Sequence, residues 1–282
     1  MQELFFYTKS NYPKLKKMIG MTNFLERFTF DFVRRLQFYG DSDLKLSAPD
    51  NILIYGAPGC GKTLLAETLC QYSGLPYAHV NYSILAPANR TETIKHLQDI
   101  EAQSLKNAPA LLIIHDIDCV LPNRETIKDI SYFVEVGLIL SWLKSLREKN
   151  VWTIALSNRP QDIDVLAGTA QYFGNCYYVP YPESALRGAL ITDFLAQRNV
   201  AYEGDVGELE KESNNMTCSD LLKALDDAFL QSLCDQAPLT QQMLKKHINK
   251  QKRPLSGKLE KKYKYIHELL EPDLQEKGKI GF

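Results

Sequence analysis

Asn51-Ile52-Leu53-Ile54-Tyr55-Gly56-Ala57-Pro58-Gly59-Cys60-Gly61-Lys62-Thr63-Leu64-Leu65 joins an apolar run to a glycine-rich turn and then to a stretch of helical periodicity. The turn, Gly56 to Thr63, fits the pattern GxxxxGK[ST] with a strand before it and a helix after it, the context that gives this pattern its meaning. Glycines 56, 59 and 61 let the backbone bend so that successive N–H groups point at phosphate oxygens. The following helix presents its positive dipole end to the same anion. Lys62 supplies a mobile point charge for the outer phosphates, and the Thr63 hydroxyl can ligate Mg²⁺. A nucleoside triphosphate is therefore the expected ligand, with Gly56, Pro58, Gly59, Cys60, Gly61, Lys62, Thr63 and Leu64 as its binding set. Cys60 has two readings: a redox-sensitive thiol near a helix N-terminus, or, as favoured, a small residue where small residues fit.

Working outward, five apolar runs read as buried parallel strands: 52–55, 77–81, 111–114, 151–156 and 176–179. Between them Leu64, Leu65 and Leu69 fall on one helical face. Ile94, Leu97, Ile100 and Leu105 suggest a second face, and Phe133, Val136, Leu140 and Leu143 a third. Strands alternating with helices imply an α/β fold, a doubly wound parallel sheet with right-handed crossovers. From about residue 184 the strand signal stops. Helices are expected at 187–197, 218–233, 240–249 and 259–270, separated by polar breaks at 203–215 and 236–239. The expected organisation is a helical lead-in at 1–45, with one amphipathic helix at 24–38, a nucleotide-binding α/β domain at 46–183, and an all-α lid at 184–282.

Composition bounds the rest. The 282 residues carry a formal net charge of −1 and 45% hydrophobic residues, which excludes a disordered or fibrous chain. No apolar stretch approaches the roughly 18 residues of a membrane span, and Met1 to Tyr7 lacks the basic-then-apolar order of a signal peptide. The six cysteines show no metal-ligand spacing and read as reduced thiols. An intracellular, cytoplasmic protein is expected, with the nucleus or an organelle surface as alternatives.

Further segments follow the phosphate loop in an order that resembles the AAA family of ATPases. Ala108-Pro109-Ala110-Leu111-Leu112-Ile113-Ile114-His115-Asp116-Ile117-Asp118 resembles the family's AP-x-hhhh-DE-x-D strand. Ser157-Asn158-Arg159-Pro160 resembles the (T/S)NRP end of the sensor strand, and Tyr178-Val179-Pro180-Tyr181-Pro182 the YVPLPD handover to the lid. Met216-Thr217-Cys218-Ser219-Asp220-Leu221 is similar to the (F/Y)SGADL helix start, and Lys252-Arg253-Pro254-Leu255-Ser256 to the RPSVS terminal segment. The resemblance spans roughly 18–268. It implies ATP and Mg²⁺ as cofactors, assembly with other AAA subunits, and Asn158 as the sensor.

The departures from the family carry as much information. The register fixed by Ala108-Pro109 puts His115 at the Mg²⁺-associated aspartate position and Asp116 at that of the catalytic glutamate. A neutral imidazole brings no charge to a metal, and a protonated one repels it. Asp116 is one methylene shorter than glutamate, so its oxygens fall about 1 Å short of the attacking water, a misplacement that can cost about 10²-fold in rate. In the other reading Asp116 takes the metal role, with Asp118 or a water in reach. The expectation is weak or lost hydrolysis, with Asp116 and Asn158 as the remaining catalytic candidates and Thr63 and Asp116 as the metal ligands.

Two more features are missing. No arginine lies between Arg159 and Arg187, so Thr169 to Asn175 lacks the arginine fingers that the family supplies to a neighbouring subunit. Such fingers are worth roughly 10³–10⁵ in rate; Arg147 or Arg159 would have to substitute. The stretch Leu85 to Glu92 has no aromatic to grip a threaded polypeptide. Binding residues are kept while those for hydrolysis and traction are eroded, as in the non-hydrolysing modules of tandem AAA proteins. An active remodelling ATPase is the competing reading.

Nine Lys/Arg and one acid, Glu260, lie between Met243 and Tyr265. This stretch, Lys245–Lys264, is a candidate for nucleic acid or an anionic membrane, although a solvated helix face or an acidic subunit contact is favoured. His79, His96, His247 and His267 show no ligand spacing and read as surface or core residues. Trp142 and Trp152 read as core. Within 282 residues there is no room for a separate substrate-recognition domain, so recognition is expected from the N-terminal segment, the lid or a partner.

Overall fold

The computed structural model describes residues 3–15, 18–20, 22–39, 41, 43–85, 90–125, 130–164, 167, 171–200, 202–252 and 256–270. They form two compact units. One comprises 1–55 and 62–178, and the other 56–61 and 179–282.

In chain order the first unit begins with α1 (Thr22–Phe28), a wide π-helical turn (Thr29–Arg34) and α2 (Arg35–Phe38), then β1 (Ile52–Gly56) and α3 (Lys62–Ser73). It continues through β2 (Tyr77–Val80), α4 (Tyr82–Leu85), α5 (Arg90–Leu105), β3 (Ala110–Ile114), α6 (Ile117–Val120) and α7 (Ile130–Glu148). β4 (Val151–Ser157) and β5 (Asn175–Val179) complete a five-stranded sheet in the order β2-β3-β4-β1-β5. The ladders β2/β3, β3/β4 and β4/β1 are parallel. Every residue of β1, β3 and β4 is buried, as expected of a sheet covered by helices on both faces. The α/β expectation holds, and each expected strand lies within a residue of the observed one.

The single amphipathic helix expected at 24–38 is instead interrupted by the π turn. Thr29 Oγ1 donates to the Leu25 carbonyl at 2.7 Å, a side-chain bond back into the preceding turn that bends helices. Its buried face packs through Phe28 and Phe32, stacked at 5.1 Å, and Phe32 meets Trp152 edge-on at 5.5 Å. Trp142 and Trp152 are both core, as expected. Ile94, Leu105 and Phe133 are not: all three are exposed at the margins of their helical faces, while Leu97, Ile100, Val136, Leu140 and Leu143 carry the burial. At the sheet's outer edge Tyr7 and Tyr77 exchange backbone hydrogen bonds of 2.8 and 2.9 Å, so the N-terminal segment covers one position of an otherwise open strand edge.

The second unit contains α8 (Ser184–Gln197), α9 (Val206–Glu212), α10 (Cys218–Cys234), α11 (Gln241–Gln251) and α12 (Ser256–Leu270). Its core joins Ile191, Phe194, Leu209, Leu221, Leu225, Leu244 and Ile248. Asp205, Thr217 and Thr240 cap their helices by accepting from the backbone N–H of Gly207, Asp220 and Met243. The polar break expected at 203–215 proves to hold α9, because Leu209 gives a short polar helix one fully buried anchor.

Candidate functional site

The glycine turn belongs with the helical unit. Gly59 has φ +85° and Gly61 φ +100°, backbone shapes that L side chains rarely adopt. A Cβ on Gly59 would stand 2.8 Å from Thr217 Oγ1 and 3.0 Å from Ser219 Cβ. The start of α10 is tied to the turn: the Ser219 N–H donates to the Gly59 carbonyl at 3.0 Å, and the Cys218 thiol lies 3.9 Å from the Cys60 carbonyl. Burial pushes the Cys218 thiol up to about 11, so it remains protonated and unreactive. Cys60 is buried as well, which suits a small packing residue rather than an exposed redox switch. Pro58 is exposed. A backbone shaped so that a side chain at Gly59 has no room fits a loop that must approach phosphate closely.

In the sheet unit α3 opens with Lys62, Thr63 and Leu64. Lys62 is buried and donates from Nζ to Asn158 Oδ1 at 2.7 Å. Asn158 Nδ2 donates in turn to Asp116 Oδ1 at 3.0 Å. Three of the residues singled out in the sequence, far apart along the chain, thus form one continuous network at the ends of β3 and β4. Asp116 is in the left-handed region, φ +50° and ψ +50°, where a short polar side chain is better tolerated than a long one. Thr63 is exposed and Leu64 half-buried. Asp118 is committed elsewhere: its Oδ1 accepts from Ser157 Oγ at 2.7 Å and from the Asn158 N–H at 3.3 Å. It therefore fixes the loop that aims Asn158.

His115 turns toward the neighbouring strand. Its Nε2 lies 2.9 Å from His79 Nδ1, the rings stack at 5.2 Å, and His79 Nε2 lies 3.3 Å from Glu67 Oε1. Burial, and next the neighbouring His79, hold the His115 imidazole below its usual pKa, so the neutral ring is favoured. A consistent proton arrangement has His79 donating to Glu67 and His115 donating to His79. His79, expected to be an ordinary surface or core residue, instead joins this chain of side chains. The sequence offered no local signal for its role, because His79 and His115 meet through the register of β2 on β3 and Glu67 reaches them from α3.

Of the two arginines that would have to replace the missing fingers, Arg147 is already engaged. It donates to the carbonyls of Ala48 and Pro49 and pairs with Asp50 at 2.6 Å. Arg159 is exposed, 4.0 Å from Asp162. Residues 86–89, 169–170 and 253–255, within the expected traction, finger and terminal segments, lie outside the described residues. Among the described residues no group of three or more His, Cys, Asp or Glu is arranged to hold a metal ion. The cavity of about 490 Å³ lined by Pro182, Arg187, Lys211 and Lys264 belongs to the helical unit and includes none of the residues above.

Residues 52–181 match the model of the ATPase family associated with various cellular activities. The chain carries an AAA domain. Its nucleotide-binding domain is therefore of AAA type, and nucleotide binding is the activity that this domain implies. Similar proteins include the outer mitochondrial transmembrane helix translocases of Danio rerio and Homo sapiens. The former is 26% identical over 207 residues, covering 72% of this chain and 53% of the relative. The latter is 26% identical over 201 residues, covering 70% and 55%. An uncharacterized AAA domain-containing protein of Schizosaccharomyces pombe is 26% identical over 188 residues, covering 64% of this chain and 24% of that protein. The chain thus spans about half the length of the translocases that it matches.

These relatives overturn the cytoplasmic placement expected from composition, since the translocases similar to this chain are named for the outer mitochondrial membrane. Composition could not have signalled this, because a protein that works at a membrane surface carries the same average make-up as one that does not. Among the described residues no helix is long and apolar enough to cross a membrane.

Proposed function

We propose that this AAA chain binds ATP·Mg²⁺, hydrolyses it weakly or not at all, and acts as a nucleotide-loaded subunit among other AAA subunits at the mitochondrial outer surface. The reading rests on one observation: Lys62, Asn158 and Asp116 are joined at 2.7 and 3.0 Å, while His115, at the metal-associated position, is turned to His79. The turn at Gly56–Gly61 and Lys62 would hold the phosphates, and Thr63 with Asp116 would face the metal. The metal would offset phosphate charge and orient the terminal phosphate. Asp116 and Asn158 keep their polar atoms within the same network as Lys62, which serves binding and orientation. His115 brings no negative charge, and the shorter Asp116 reaches less far than glutamate, which is why turnover is low. The names of the relatives support the location. The lack of an aromatic in Leu85–Glu92 weighs against independent threading of a transmembrane helix. The domain limits 1–45, 46–183 and 184–282 are part of this proposal.

The same network supports a second reading, in which Asp116 is a working catalytic carboxylate and the chain an active remodelling ATPase. Steady-state phosphate release separates the two, measured on wild type, Lys62→Ala and Asp116→Ala with oligomeric mass recorded on each sample. The proposal expects a wild-type rate close to that of Lys62→Ala and an assembly that grows with ATP. Robust turnover abolished in Asp116→Ala would establish the second reading instead.

A further inference from the structure

The lid carries a charged surface that nucleotide chemistry does not use. On α12 the buried side is made by Tyr263 and Ile266, and the opposite side presents Lys258, Lys261, Lys262 and Tyr265 at i, i+3, i+4 and i+7. Tyr265, 61% exposed, lies among the lysines, whereas Leu259 shares the stripe of Tyr263 and Ile266 at i, i+4 and i+7. On α11 Lys246 and Lys250 share the exposed face one turn apart.

Ion pairing divides the basic residues into two groups. Lys245 pairs with Glu208, Lys252 with Glu212 and Lys264 with Glu260. Lys246, Lys250, Lys258, Lys261 and Lys262 have no acidic partner among the described residues. Among the described residues the one acid on the α12 face is Glu268, three residues from Tyr265 and exposed. Like charges three and four residues apart on a helix oppose its formation by a few tenths of a kcal/mol per pair. Lys246 with Lys250, Lys258 with Lys261 and Lys258 with Lys262 therefore work against the helices that hold them. Such an array is relieved by an anionic partner that meets the lysines together.

We infer that the exposed face of α12, formed by Lys258, Lys261, Lys262 and Tyr265, is a docking surface for an anionic lipid bilayer. Each lysine near a bilayer of net negative charge adds attraction that falls off within a Debye length. Tyr265 gives the face an amphipathic side chain of the kind that settles at the headgroup boundary. Among anionic partners, the membrane-surface placement proposed above favours a bilayer over a nucleic acid. The inference rests on the membrane-surface part of the proposal above and not on ATP binding.

The test is vesicle co-sedimentation of the full chain. Phosphatidylcholine vesicles are compared with vesicles containing one third phosphatidylserine, at low and high salt and without nucleotide. Binding to the anionic vesicles alone, lost as salt rises, is expected. Lys258→Glu/Lys261→Glu/Lys262→Glu should weaken it by 10²-fold or more, at about 1 kcal/mol per lysine before counting the reversed charges. All three side chains are exposed, so the variant should fold, as confirmed by circular dichroism and an unchanged melting temperature. Lys62→Ala should bind vesicles like wild type, which keeps a failure of the nucleotide reading distinct from a failure here. Equal binding to both vesicle types, no binding at low salt, or retention by duplex DNA in place of anionic vesicles would overturn the inference.

Discussion

The double variant His115→Asp, Asp116→Glu should raise the turnover of a weak hydrolase. Its effect follows from two features of the site. His115 is held by His79 at 2.9 Å and brings no charge to the metal side, and Asp116 reaches Asn158 at 3.0 Å from a left-handed backbone. Restoring a carboxylate at 115 supplies the missing charge. Lengthening 116 recovers about 1 Å of reach, and misplacement on that scale costs about 10²-fold in rate. Steady-state phosphate release at saturating ATP·Mg²⁺ should therefore rise about 10²-fold over wild type and vanish when Lys62→Ala is added. The gain has a structural cost. Losing the imidazole–imidazole hydrogen bond removes about 1 kcal/mol, and a longer side chain in the left-handed region costs about 1 kcal/mol more. The melting temperature should fall by about 4–8 °C, at roughly 2–4 °C per kcal/mol for a chain of this size. A folded double variant with wild-type turnover would refute the idea that these two positions limit hydrolysis.

Three further outcomes follow from other parts of the molecule. Gly59→Ala places a methyl at φ +85° and 2.8 Å from Thr217 Oγ1, so it should lower ATP affinity at least tenfold in calorimetry while circular dichroism stays native. Trp152→Ala removes a fully buried ring that Phe32 meets edge-on and should cost about 3–5 kcal/mol in denaturant unfolding; a loss under 1 kcal/mol would contradict that packing. His247 has its Nδ1 buried without a hydrogen-bond partner among the described residues, and burial holds its pKa below 6.5. The fold therefore favours the neutral ring: its contribution is present above about pH 6.5 and lost as pH falls through the lower folded value. The drop in melting temperature from pH 7.5 to 5.5 should be smaller in His247→Gln than in wild type.

Much of the sheet was legible because parallel strands are buried on both faces and read as continuous apolar runs, as in Leu111–Ile114 and Val151–Leu156. The phosphate turn was legible for a different reason: Gly59 and Gly61 stand where only glycine suits the backbone. What stayed hidden depends on tertiary register. Glu67, His79 and His115 come from a helix and two strands, and nothing in any one segment announces their meeting. The engagement of Arg147 by Asp50 and two carbonyls is likewise a property of packing. Residues 203–215 looked like a break because α9 rests on a single buried leucine, too little for helical periodicity to show. Phe133 and Ile94 fit the periodic pattern, yet they sit at the edge of the stripe and are exposed.

Calorimetric titration of ATP·Mg²⁺ into wild type and Lys62→Ala tests the account most directly. Lys62 is a buried cation hydrogen-bonded to Asn158, and a charge-assisted contact of this kind contributes about 1.5–3 kcal/mol. Saturable binding by wild type that weakens by at least tenfold in Lys62→Ala is the expected result. Equal affinities in the two proteins, or no heat of binding in a folded wild type at millimolar ATP, would contradict it.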